Sequence, residues 1–292
     1  MDTLPHEAKA AWRNLRREST LHPGLTFYRF MEMEDDGKFN KECLKNYPER
    51  IAIPFAEEYS KRLEEHTQWL ESQGCWKTTT FCARLITRMA VGLGIPSVTE
   101  NGMSLDHTLG IPVVPGSVLK GVTQDFALLH GDSGHDPAAS RGQTLIDPEF
   151  VAVFGAQTPD KPDESFKARQ GNVIFFDAFP EKSTSPFEVD IMNPHYGAYY
   201  GKEGGKAPAD YLSPNPILFL TIKTGIVFRF ALAVRSKARH VASPDGERAS
   251  NEANGDQILK TVESWLKGAF RLLGVGGKTR VGYGMFEMEE CP

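Results

Sequence analysis

Gly274-Val275-Gly276-Gly277-Lys278-Thr279-Arg280-Val281-Gly282-Tyr283-Gly284 sets glycines 274, 276, 282 and 284 in the pattern G-x-G-x₅-G-x-G around a Lys-Thr-Arg triplet. Backbone without Cβ atoms lets N–H groups come close to an anion. The flanks decide which fold carries the loop. Residues 257–273 place Ile258, Leu259, Val262, Trp265, Leu266, Ala269, Phe270 and Leu273 on one helical stripe, with Gly274 at the C′ position. Residues 281–289 then read as a strand. A dinucleotide turn has the opposite order, following a strand and opening a helix. A Walker A loop needs glycine at position 272, where Leu272 stands. ATP and NAD are therefore excluded, and no cofactor is expected.

Working back along the chain, 217–222 and 226–234 predict a hairpin across Lys223-Thr224-Gly225. Residues 172–177 are nearly all apolar, which predicts a strand buried on both faces. Residues 148–154 read as a short helix stopped by Gly155. Ser117 is the expected N-cap of a helix with Val118, Val122, Phe126 and Leu129 inward. Residues 81–93 are strand-like. The order is strand 81–93, helix 117–130, strand 172–178, strands 217–234, helix 257–273, strand 281–289. That is βαββαβ, an α+β fold of ferredoxin-like (RRM-like) type. Residues 77–292 form this domain, with insertions at 94–115, 132–170 and 180–215. Residues 1–76 form a helical N-terminal region packed on the core; its best helix is 55–70, with Phe55, Tyr59, Leu63 and Leu70 on one stripe. The face of such a sheet is a common RNA platform, but topology alone assigns no function.

With 292 residues, 40% of them hydrophobic, the chain can bury a sizeable core. No run approaches the roughly 18 apolar residues of a membrane span, and Met1 to Glu7 lack the apolar core of a signal peptide. A cytoplasmic protein is expected, with no membrane partner. Cys43, Cys75, Cys82 and Cys291 show no paired metal spacing, so reduced thiols are expected. The net charge of −5 argues against a free-standing nucleic-acid binder. Basic residues nevertheless gather at Arg13-Arg16-Arg17, at Arg84 and Arg88, at Arg235-Lys237-Arg239-His240, and at Lys278 and Arg280. One face can hold RNA, especially where partner subunits share the phosphate contacts.

The segment from Gly110 to Gly121, containing Pro115-Gly116-Ser117-Val118-Leu119-Lys120-Gly121, resembles the PGSSLKG signature of RAMP proteins, the RNA-binding subunits of CRISPR systems. Val153-Phe154-Gly155, Gly171 to Ala178 and the glycine loop fit the same family in the same order. Asp190 to Tyr196, Tyr199-Tyr200 and Pro214 to Phe219 are similar to the sixth-subunit family of the type III-B (Cmr) effector. The likeness runs over about residues 81–290. It implies a non-catalytic subunit that binds guide RNA near its 3′ end and caps a filament of RAMP subunits in antiviral defence. Guide RNA, target RNA and the other RAMP subunits of the Cmr complex are the implied partners, and target cleavage belongs to a neighbouring subunit.

Gly116, Ser117 and Lys120 open a helix, where unsatisfied N–H groups and the dipole favour a phosphate; without the resemblance the plainer reading is a capped helix with a solvated lysine. Gly276 and Gly277 permit close approach while Lys278, Thr279 and Arg280 supply charge and a hydroxyl; the plainer reading is a tight helix-to-strand turn. Arg84, Arg88, Arg235 and Arg239 complete the RNA-binding candidates. His195 and Tyr196 could stack on a base, meet a neighbouring subunit or be structural. His195 could also act as general base of a metal-independent endoribonuclease that processes guide RNA. A third reading is a structural cap that contacts mainly protein. Asp177 and Asp190 form no carboxylate cluster, so no metal is expected.

Overall fold

The structure, a computed structural model, describes residues 22–34, 39–53, 55–130, 147–156, 169–194, 207, 214–236 and 254–291. In chain order the elements are α1 (Pro23–Arg29), α2 (Lys41–Lys45), α3 (Tyr47–Arg50), α4 (Ala56–Ser72), β1 (Trp76–Leu85), α5 (Gly116–His130), α6 (Pro148–Phe154), β2 (Gly155–Ala156), β3 (Arg169–Gln170), β4 (Val173–Phe175), β5 (Phe179–Pro180), β6 (Phe187–Met192), β7 (Ile217–Ile222), β8 (Val227–Arg235), α7 (Gly255–Leu272) and β9 (Phe286–Glu289). They divide into two compact units, each discontinuous in sequence. One comprises Phe55–Met89, Val113–Lys182 and Thr224–Pro292; the other comprises Met1–Pro54, Ala90–Pro112 and Ser183–Lys223.

The first unit is built on an antiparallel sheet of order β4-β8-β1-β9, with β5 also paired to β8. Its central ladder runs from Trp76 opposite Arg235 to Arg84 opposite Val227. Alternate side chains point to opposite faces, so Phe81, Phe228, Phe230 and Phe286 share one side. Helix α7 packs there: the Phe270 ring lies 4.7 Å from Phe230 and 5.1 Å from Phe286, and Val262 and Leu266 are fully buried. Burying each such side chain stabilises by about 1.5–3 kcal/mol. Asn254 caps α7, its side chain accepting from the Asp256 N–H at 3.1 Å. The sheet and helices give the α+β class expected from sequence.

The opposite face carries Cys82 and its cross-strand neighbour Arg229. Helix α4 covers it. Arg229 donates from Nε to Glu181 at 2.5 Å and from Nη1 to Glu64 of α4 at 3.3 Å, and Ser60 of α4 donates to Glu181 at 2.8 Å. Hydrogen bonding to Glu181 raises the Arg229 pKa. The sheet face expected to offer an RNA platform is thus occupied by the chain itself. The inward stripe of α4 is Ala56, Ser60, Leu63, Thr67 and Leu70, whereas Phe55, expected inward, is 56% exposed. Two hydroxyls take core positions that a search for large apolar residues passes over.

Four other expectations need correction. Strand β1 starts at Trp76 and ends at Leu85, where the pattern of apolar residues pointed to 81–93. Strands β7 and β8 do not form a hairpin: β7 pairs with β6 over Phe187↔Ile222 to Met192↔Ile217, while β8 pairs with β1, β4 and β5. Gly225 does adopt the positive φ of a turn, +84°, but its N–H donates to the Leu85 carbonyl at 2.7 Å and so feeds the chain into the β1 ladder. Strand β4 is three residues long and pairs on one side only, which leaves Ile174 exposed where burial on both faces was expected. Finally, Cys82 and Cys291 are joined in a disulfide, not reduced. The β1–β9 register sets Cys82 opposite Glu289, two residues from Cys291, a proximity that sequence spacing does not reveal.

In the second unit, Phe27 of α1, Tyr47 of α3 and Phe187 of β6 form an edge-to-face cluster, with ring centroids 5.8 and 5.2 Å apart. The Tyr47 hydroxyl donates to the Pro23 carbonyl at 2.9 Å, and burial pushes its pKa well above the ordinary phenol range. Among the described residues no helix is long and apolar enough to cross a membrane.

Candidate nucleic-acid interface

Helix α7 ends where the sequence places it: Gly274, with φ +74°, donates to the Ala269 carbonyl at 3.0 Å and turns the chain out of the helix. The loop then closes on itself. Val275 donates to the Gly284 carbonyl at 2.8 Å, and Gly284 donates to the Arg88 carbonyl at 2.7 Å. At Gly284 the backbone is left-handed and a Cβ would stand 2.0 Å from the Val275 oxygen, so only glycine fits. Between these clasped ends, Thr279–Val281 form a short 3-10 turn entered from Lys278, and Arg280 and Val281 are exposed at its tip. The Lys278 ammonium lies 5.8 Å from the Tyr283 ring centroid, within cation–π range.

A cleft of about 960 Å³ separates this loop from α5; Gly276, Thr279 and Arg280 line one side, Val118, Gly121 and Asp125 the other. The first residue of α5, Gly116, has no room for a side chain, since a Cβ there would sit 2.1 Å from the Phe175 carbonyl oxygen of β4. Its N–H is taken by the Asp177 carboxylate at 2.7 Å. Pro115 accepts from the N–H groups of Val118 and Leu119 at 2.9 and 3.2 Å, so the cap position is Pro115 and not Ser117. Ser117 and Lys120 are exposed on the first turns of α5.

The structure gathers some of the sequence candidates and separates others. Gly276, Thr279 and Arg280 meet α5 across the cleft, and Arg88 is tied to the loop through its carbonyl. Arg84 instead forms a two-point ion pair with Glu289 across β1 and β9, Nε to Oε2 at 2.6 Å. That hydrogen-bonded pairing raises the arginine pKa and lowers the glutamate pKa. Arg235 lies over the Trp76 ring at 5.5 Å, at the far end of the β1–β8 ladder. His195, Tyr196 and Arg239 lie outside the described residues. Asp125 and Asp177 are the residues that sequence reasoning missed as parts of this site. The helical spacing of Asp125 from Gly121 could have flagged the first; the partner of Asp177 is distant in sequence and left no signal. No group of three or more His, Cys, Asp or Glu among the described residues could hold a metal ion. The arrangement sets a close-turned glycine backbone and the exposed Lys120 and Arg280 around one cleft.

Residues 82–287 match the RAMP superfamily, and the chain belongs to it. It is also 31% identical, over 269 residues, to the CRISPR system Cmr subunit Cmr6 of Pyrococcus furiosus, spanning 77% of this chain and 72% of that protein. It is thus a Cmr6-like member of the superfamily. A chain in the cryo-EM structure of the type III-B Cmr-beta bound to cognate target RNA shares the fold, with a TM-score of 0.58 at 21% identity over 97% of this chain and 87% of that one. The crystal structure of Cmr6 from Pyrococcus furiosus matches 73% of this chain and 99% of its own at 28% identity, with a TM-score of 0.41.

Proposed function

We propose that this chain is a non-catalytic, RNA-binding subunit of a type III-B (Cmr) effector in the cytoplasm. In this reading it holds guide RNA near its 3′ end, ends the filament of RAMP subunits and lies beside target RNA and the other Cmr subunits. The observation that carries it is the clasped glycine loop facing α5 across the cleft. The loop presents Gly276, Thr279 and Arg280 on a base that only glycine can form, beside a helix with Ser117 and Lys120 exposed. Backbone contacts of this kind ignore sequence, which leaves base pairing to specify the target. The likeness to Cmr6 supports the same assembly.

The order β4-β8-β1-β9, all antiparallel, with α5 between β1 and β4 and α7 between β8 and β9, supports the ferredoxin-like reading. In such a fold one face is ordinarily free for RNA. Here α4 takes that face, which favours the cleft and glycine loop as the gripping surface. One observation favours the structural-cap reading for part of the cleft: Leu272 and Leu129, the latter expected inward, are exposed apolar residues that line it.

The test is a titration of repeat-derived guide RNA at several salt concentrations with wild type, Lys120→Ala and Arg280→Ala. Each lost phosphate contact should lower the log–log salt slope by about 0.7 and weaken binding to all sequences alike. Slopes equal to wild type in both variants refute the assignment.

A further inference from the structure

The second unit holds a cleft that the glycine loop does not account for. It has a volume of about 500 Å³, within the size range of small-ligand sites. One wall is α1, which contributes Leu25, Tyr28 and Arg29; the other is the 95–98 turn, with Ile95 and Val98; His107 stands at the end.

These walls are firmly built. His22 accepts the Leu25 N–H on Nδ1 at 3.0 Å, and its Nε2 meets the Thr108 carbonyl at 2.8 Å. The Tyr28 hydroxyl donates to the Met103 carbonyl, and burial raises its pKa. Ile95 donates to the Gly92 carbonyl at 3.0 Å and Ser104 to the Val91 carbonyl at 2.7 Å, which hold the opposite turn. The chain at Gly110 passes so close to α1 that a Cβ would lie 2.5 Å from the Gly24 nitrogen. Inside this frame three large aliphatic side chains remain open to solvent, Leu25 at 48%, Ile95 at 40% and Val98 at 45%.

The polar groups are arranged unequally. Asp106 is the acid lining the cleft, and its Oδ1 already accepts from the Thr108 and Leu109 N–H groups at 3.0 and 2.7 Å. Arg29 and His107 make no hydrogen bond or ion pair among the described residues. The cleft therefore offers apolar side chains and the ring of Tyr28 within, and an uncommitted guanidinium at the edge. Such a set suits a flat ring that carries an anionic group.

We infer that this cleft takes one nucleotide of single-stranded RNA, its base against Leu25, Tyr28, Ile95 and Val98 and its phosphate on Arg29. Stacking platforms paired with a cation bind single strands in this way. The inference rests on the proposed RNA-binding function and adds a second contact to it.

The test uses the full chain and a single-stranded oligoribonucleotide containing 4-thiouridine. Binding is read by fluorescence anisotropy, and photo-cross-links are mapped by mass spectrometry. Leu25→Glu and Val98→Glu, at exposed positions, should each weaken binding about 10-fold, the lower part of a one-base stacking effect. Cross-links to the 25–29 and 95–98 peptides should vanish with them. Arg29→Ala should reduce the salt slope by about one phosphate contact. Wild-type affinity in all three variants, with no cross-link in these peptides, overturns the cleft assignment. The same holds if the glutamate variants lose a protein subunit while keeping RNA affinity. Failure of every form, wild type included, to bind RNA instead removes the RNA reading on which the inference rests.

Discussion

Replacing Gly284 with alanine separates two effects that glycine loops usually confound. The residue sits at φ +77°, and a Cβ would stand 2.0 Å from the Val275 carbonyl oxygen. A left-handed conformation costs an alanine about 1–2 kcal/mol. The clash cannot be relieved by a rotamer, because a Cβ is fixed by the backbone and the atom it meets is backbone too. Moving either strand stretches the Val275–Gly284 hydrogen bond and the Gly284–Arg88 hydrogen bond, each contributing about 1 kcal/mol. Gly284→Ala should therefore destabilise by about 3–4 kcal/mol. Gly282 is the internal control: its φ is +90°, yet nothing lies within 4 Å of where its Cβ would stand. Gly282→Ala should cost only the conformational part, about 1–2 kcal/mol. Urea denaturation of both variants, read as a shift in midpoint at constant slope, measures the difference. Equal losses would refute the view that the loop is clasped by backbone contact at its base.

Arg229→Met should cost about 3–5 kcal/mol in the same assay, since Glu181, 6% exposed, loses its main charge partner; adding Glu181→Gln should recover part of the loss. Reductant should lower the denaturation midpoint by an equivalent of about 2–5 kcal/mol, because the Cys82–Cys291 bridge closes a long loop of chain. A Cys82→Ala/Cys291→Ala double variant should be indifferent to reductant, and a wild type equally indifferent would count against the bridge. The depressed pKa of Glu289 gives a pH signature. Its pairing with Arg84 adds stability above the unfolded glutamate pKa, and that increment fades as pH falls through the lower folded value. Acid titration of Glu289→Gln should lack this component.

The local signals in the sequence are strong where one element decides its own ends. Helix α7, its stripe and its Gly274 exit could be read directly, as could α6 with Gly155 at its stop. Positive φ at Gly225 was also legible, but its consequence was not. Which strand follows a turn's partner is settled by distant residues, and β6 lies within what reads as an insertion. The inward face of α4 was misread because Ser60 and Thr67 are buried by small size and hydrogen bonding, not by apolarity. At the candidate interface the glycines and the Lys-Thr-Arg triplet were visible from spacing. The uses of Asp177 as a cap and of Glu289 as a restraint on Arg84 depend on contacts between residues far apart in sequence.

The strand order has a consequence for synthesis on the ribosome. Strand β1 is the centre of the sheet and is made early, at residues 76–85, yet its two neighbours are β8 at 227–235 and β9 at 286–289. At roughly 5–20 residues per second, β1 waits on the order of ten seconds for β8, and longer for the last strand. During that interval Phe81, Ala83 and Leu85 have no sheet to join, although α4, made just before, can already lie against the strand. Without the 286–289 strand the central strand keeps an open edge.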